Sequence, residues 1–123
     1  MDKLPIDIDL NTLLIHCADL GASRIQIQTD QPVEIRVHGR NSEVTEDRLG
    51  NHWVQHALRQ MYGSETATSV LTQGGTVDLS YTIWPDKTKP RYPFRINAVA
   101  ATIGAERGIN MTIRPLASNP RPT

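Results

Sequence analysis

Three runs in the last third of the chain alternate apolar and polar residues with period two, which restricts the fold more than any other feature. Val77, Leu79, Tyr81 and Ile83 alternate with Asp78, Ser80 and Thr82. Tyr92, Phe94, Ile96, Ala98 and Ala100 form a second such run, and Ile109, Met111 and Ile113 a third. Successive side chains of a strand point to opposite faces, so each run predicts a strand with one buried and one solvated face. Joined in order they predict a three-strand meander, with residues 84–91, which hold two prolines and two lysines, as an exposed connection.

The same period occurs earlier. Ile25 and Ile27 alternate with Arg24, Gln26 and Gln28; after Asp30-Gln31-Pro32, Val33, Ile35 and Val37 alternate with Glu34, Arg36 and His38. This predicts a hairpin. Elsewhere the period is helical. Leu10, Leu13, Leu14, Cys17 and Ala18 form one apolar stripe, with Asp9 as N-cap and Gly21 as stop, so a helix from Leu10 to Leu20 is expected. Cys17 on that stripe reads as a packed core residue rather than a nucleophile. Trp53, Ala57, Leu58 and Met61 predict a second helix over 49–62, stopped by Gly63. Ser64 is placed to cap a short third helix carrying Ala67, Val70 and Leu71. Residues 39–50 read as a polar loop with one short strand near Val44. The sum is α+β: an antiparallel sheet with helices on one face and a polar face left open.

A chain of 123 residues, 38% of them hydrophobic, suits one core. No stretch approaches the roughly 20 apolar residues of a membrane span, and the first twenty residues hold four aspartates against one lysine, unlike a signal peptide. A single cysteine favours a reducing compartment, and the expected location is the cytoplasm. Zero net charge hides an asymmetry: residues 1–47 hold nine acids against four bases, and residues 48–123 four acids against nine bases. Ten of the thirteen bases are arginine, whose planar fork grips carboxylate or phosphate with two bonds. The combination points to a local anion site or an interface rather than a dedicated nucleic-acid surface, and no direct nucleic-acid partner is expected.

The sequence carries no G-x-x-x-x-G-K-[ST] phosphate loop, no G-x-G-x-x-G and no G-x-S-x-G. His52 and His56 have the i, i+4 spacing of zinc ligands, but Trp53-Val54-Gln55 between them lacks the glutamate of H-E-x-x-H, so a solvated helix face is expected and no metal. The sharper feature is the last hairpin. A symmetric turn around Gly104-Ala105 would pair Arg95 with Arg114, Asn97 with Thr112 and Val99 with Asn110 on the polar face. Like charges directly opposite one another destabilise a sheet. The arginine pair therefore calls for a carboxylate, with Asp78 the candidate, or for an external anion.

These residues carry a resemblance. Leu13-Leu14, Gly21-Ala22-Ser23-Arg24-Ile25-Gln26-Ile27, Pro32 and Arg36-Val37-His38-Gly39-Arg40 resemble the start of the type II/type IV secretion and pilus traffic ATPases. Asp78-Leu79-Ser80-Tyr81, Phe94-Arg95-Ile96-Asn97-Ala98, Glu106-Arg107-Gly108 and Ile113-Arg114-Pro115-Leu116 continue it. Tyr62-Gly63 and Gln26-Ile27-Gln28-Thr29 look most like the DotB-like branch serving Dot/Icm (type IVB) secretion and conjugative plasmid transfer. The resemblance implies a PAS-like N-terminal domain over residues 1–116, with residues 117–123 beginning a linker to a RecA-like ATPase domain that this chain does not include. It implies a parent enzyme that uses ATP and Mg, while the fragment itself is not an enzyme and has no catalytic residue. The implied partners are the chain's own C-terminal ATPase domain, neighbouring subunits of a homohexamer, and secretion or conjugation machinery at the bacterial inner membrane, to which the protein would be peripheral. Arg95, Arg107 and Arg114 match the family arginines that reach the nucleotide phosphates. Arg24 stands where the family commonly has aspartate. A free-standing PAS-like ligand-binding or protein-interaction module is the alternative, and it would need an apolar pocket within the fold.

Overall fold

The computed structural model describes residues 8–46, 48–63, 66–85, 88, 91–103 and 106–116, without the side chains of residues 67, 68, 102, 103, 106 and 107. Among the described residues, three helices and six strands follow in the order α1 (Leu10–Asp19), β1 (Arg24–Gln28), β2 (Glu34–Val37), β3 (Arg40–Glu43), α2 (Asn51–Tyr62), α3 (Thr66–Thr72), β4 (Thr76–Ile83), β5 (Tyr92–Ile103) and β6 (Glu106–Pro115). All strand pairings are antiparallel, in one sheet of order β3-β2-β1-β6-β5-β4. The fold is α+β, as the alternation of patterns predicts.

Local chemistry accounts for the helix ends. The Asp9 carboxylate accepts from the Thr12 N–H at 3.3 Å, which satisfies one of the free donors of the first turn of α1. Gly63 ends α2 at φ 84°, a left-handed conformation that disfavours a Cβ. The stripe of α1 buries Leu10, Leu13, Leu14 and Cys17, and α2 buries Val54, Ala57, Leu58 and Met61. They pack with the inward residues of the strands: Ile25, Ile27 and Ile35, then Val77, Phe94, Ile96, Ala98, Ile109, Met111 and Ile113. The Tyr81 hydroxyl donates to Asn11 at 2.7 Å and that of Tyr92 to Asp19 at 2.8 Å, which fastens the meander to α1.

The one short strand expected near Val44 is β3, which ends just before it and pairs with β2 through a tight turn at His38 (φ 52°) and Gly39 (φ 80°). All four β3 residues are exposed, so no alternation marks them. One expectation needs correction. In α2, Val54 is fully buried and Trp53 only half so, the indole N–H donating to the Ile8 carbonyl at 3.4 Å. The expected Ser64 cap, the Gly104-Ala105 turn and residues 117–123 lie outside the described residues.

Candidate anion site on the open sheet face

The pairing of β5 with β6 decides which residues meet. Register runs from Ile103↔Glu106 through Val99↔Asn110 and Asn97↔Thr112 to Arg95↔Arg114, the pairing that alternation predicts. Phe94, Ile96, Ala98, Met111 and Ile113 take the helix side, so Arg95, Asn97, Arg114 and Thr112 face away from it. With Asp78 of β4 they line an open depression of about 360 Å³. Arg95 and Arg114 are exposed, so their charges remain hydrated until something covers them.

Asp78 reaches one of the two. Its Oδ1 accepts from Arg95 Nε at 3.0 Å, with both side chains about half exposed (54% and 52%). Exposed pairs of this kind contribute roughly 0.2–1 kcal/mol. Arg114 has no carboxylate bonded to it among the described residues. Beside the pair, Thr112 donates its hydroxyl to Gln26 Oε1 at 3.2 Å, and Gln26 Nε2 bonds Asn110 Oδ1, which ties β1 to β6 through side chains as well as backbone. The backbone of Arg107 lies in β6 opposite Thr102, and its side chain is outside the described residues. His52 and His56 are both exposed on α2, and among the described residues no group of three His, Cys, Asp or Glu could hold a metal. Cys17 is fully buried, and desolvation pushes its thiol up to about 12. Among the described residues no helix is long and apolar enough to cross a membrane.

No family model and no curated protein matches the sequence. Solved structures do. Over 94% of its length the chain is similar to the Legionella pneumophila ATPase DotB, with a TM-score of 0.84 and 28% identity, covering 33% of that chain. It is similar in fold to the Yersinia pseudotuberculosis ATPase DotB (TM-score 0.82, 16% identity, 94% of this chain and 32% of that one). It is also similar in fold to the pilus retraction motor PilT solved with bound ADP (TM-score 0.63, 21% identity, 92% and 30%). The chain thus spans about a third of the length of the structures it matches. It has the fold of the N-terminal domain of the DotB- and PilT-like traffic ATPases.

Proposed function

We propose that this chain is the N-terminal domain of a hexameric secretion or conjugation ATPase of the DotB-like kind, and that its open sheet face meets the nucleotide phosphates held by the ATPase domain. The observation that carries the reading is the Arg95–Arg114 pair: two arginines directly opposite one another in the sheet, one of them with no carboxylate bonded to it among the described residues, beside an open depression. An anion between them turns a repulsive pair into a shared grip. Arg107, near the start of β6, is the third candidate. The parent would bind ATP with Mg, and the partners would be its own ATPase domain, neighbouring subunits and the secretion machinery at the inner membrane, with the protein on the cytoplasmic side. The similarity to the Legionella ATPase DotB supports the family part of this reading.

An arginine delivered to a transferring phosphoryl group can be worth roughly a thousandfold or more in rate. In a full-length chain that carries an ATPase domain, Arg95→Ala or Arg114→Ala should therefore cut ATP turnover steeply while this domain stays folded. Arg→Lys should restore little, because a point charge lacks the bidentate fork. Unchanged specific activity in both alanine variants, with lowered melting temperature, would make the arginines structural partners of Asp78 instead.

A further inference from the structure

The arginine pair is half of a longer row. In β1 and β2, Arg24 stands directly opposite Arg36. The β1–β6 register includes Ile25↔Ile113, so one residue further on Arg24 lies across from Arg114, which in turn faces Arg95. Ile25, Ile35, Ile96 and Ile113 are buried on the helix side, so all four arginines share the open face. Arg36, Arg24, Arg114 and Arg95 thus form one line across four adjacent strands, perpendicular to them and about 14 Å from end to end at the usual strand spacing. Among the described residues the one carboxylate bonded to this line is Asp78, at its Arg95 end.

We propose that this row is a binding site for a linear oligophosphate, three or more phosphoryl groups long, laid across the strands. The inference rests on the reading that Arg95 and Arg114 meet phosphates, and it adds Arg24 and Arg36, which extend the site beyond a two-arginine cradle. Three contiguous like-charged contacts are repulsive as they stand, and an anion running along the line relieves all of them at once. The carboxylates of an extended peptide recur about every 6.8 Å on one face, wider than the strand spacing of about 4.8 Å, so they fall out of step with the arginines. Phosphoryl oxygens along an anhydride chain are closer than the arginines, so each fork that reaches the chain finds an acceptor whatever the register. Asn97 and the fixed Thr112–Gln26–Asn110 network flank the line and stiffen its floor. A nucleic-acid strand fits less well. Phe94 is buried on the helix side, Tyr81 and Tyr92 bond α1, and the exposed Trp84 lies past the end of β4 under Arg91, so among the described residues no aromatic within the strands of this meander stands beside the line for bases to stack on. Glu34 and Glu43, opposite one another in the next row, limit how far a repeating polyanion can spread.

The test uses the 123-residue chain, titrated by calorimetry and by amide chemical shifts at fixed ionic strength without divalent cations. The probes are inorganic phosphate, tripolyphosphate, ATP and an oligothymidine. One-to-one binding of tripolyphosphate, roughly tenfold or more tighter than inorganic phosphate, with shifts centred on β2, β1, β6 and β5, is the expected result. Equal affinity for ATP makes the phosphate chain alone the ligand, a preference for ATP makes a nucleotide its source, and either supports the row. Arg24→Ala and Arg36→Ala should each weaken tripolyphosphate about three- to tenfold, with Arg→Gln as the second variant if an alanine form fails to fold. Arg40→Ala removes the same charge off the row, since Arg40 pairs with Val37, and should change nothing. An equal loss in Arg40→Ala would reduce the effect to net charge and overturn the proposal. Wild-type affinity in the Arg24 and Arg36 variants, with loss only in those of Arg95 and Arg114, would also overturn it while leaving the proposed function standing. Absence of saturable tripolyphosphate binding, or oligothymidine binding as tightly, would overturn it as well, and ATP turnover in the longer chain would then judge the proposed function on its own.

Discussion

Thr29 is a junction made by one hydroxyl. It is buried, donates to Asn51 Oδ1 at the start of α2 at 3.0 Å, and accepts from the Ile109 N–H of β6 at 3.0 Å. Thr29→Val keeps the shape and strands that N–H without a partner, so it should cost about 1–3 kcal/mol in denaturant unfolding. Thr29→Ser should recover most of the loss. Cys17 carries a pH signature. Its folded-state value near 12 lies above the ordinary 9.0, so the unfolded thiol ionises first, and stability contributed by the neutral buried thiol is lost as pH rises from about 9 toward 12. At pH 8 a thiol reagent should modify Cys17 no faster than the chain opens, and faster labelling of the native protein would contradict this burial. The sequence is unequal in what it makes legible here. The stripe of α1 locates Cys17, and alternation across a short turn leaves little choice but to oppose Arg95 and Arg114. Nothing marks Thr29, whose partners lie 22 and 80 residues away in the chain.

Among the elements, β3 shows where pattern reading stops. Periodicity exists only when one face is buried, and β3 buries neither. What commits it to the sheet is the turn before it, in which His38 and Gly39 both have positive φ, as a two-residue hairpin of matching twist requires. A Cβ on Gly39 would meet nothing within 4 Å, so the cost of Gly39→Ala is conformational, about 1–2 kcal/mol. His38→Asn should be neutral or slightly stabilising, since asparagine tolerates this region better. Thermal melts of the two variants check both signs. The four-arginine line shows a different gap: alternation assigns each arginine to a face, but only tertiary pairing decides that β1 sits beside β6.

That pairing organises the whole molecule. The sheet centre joins β1 to β6, near opposite ends of the described chain, α1 bonds the meander through Asn11 and Asp19, and the buried residues of hairpin, meander and α1 belong to one core cluster. Hairpin and meander therefore lack separate cores, and one cooperative transition is expected. Trp53 fluorescence and far-ultraviolet circular dichroism should trace the same unfolding curve. A first step that releases the hairpin while the meander persists would refute this coupling.

The central position of β6 also has a mechanical consequence. The backbone leaves the sheet at Pro115 from a strand bonded on both sides, to β1 and to β5, and the Leu116 N–H still donates to the Pro93 carbonyl at 2.9 Å. Tension applied from beyond Leu116 along the strand cannot unzip an edge one bond at a time. It must slide β6 against two neighbours at once and load many hydrogen bonds in parallel, so a pull arriving there would be passed to the domain as rigid displacement before it became unfolding.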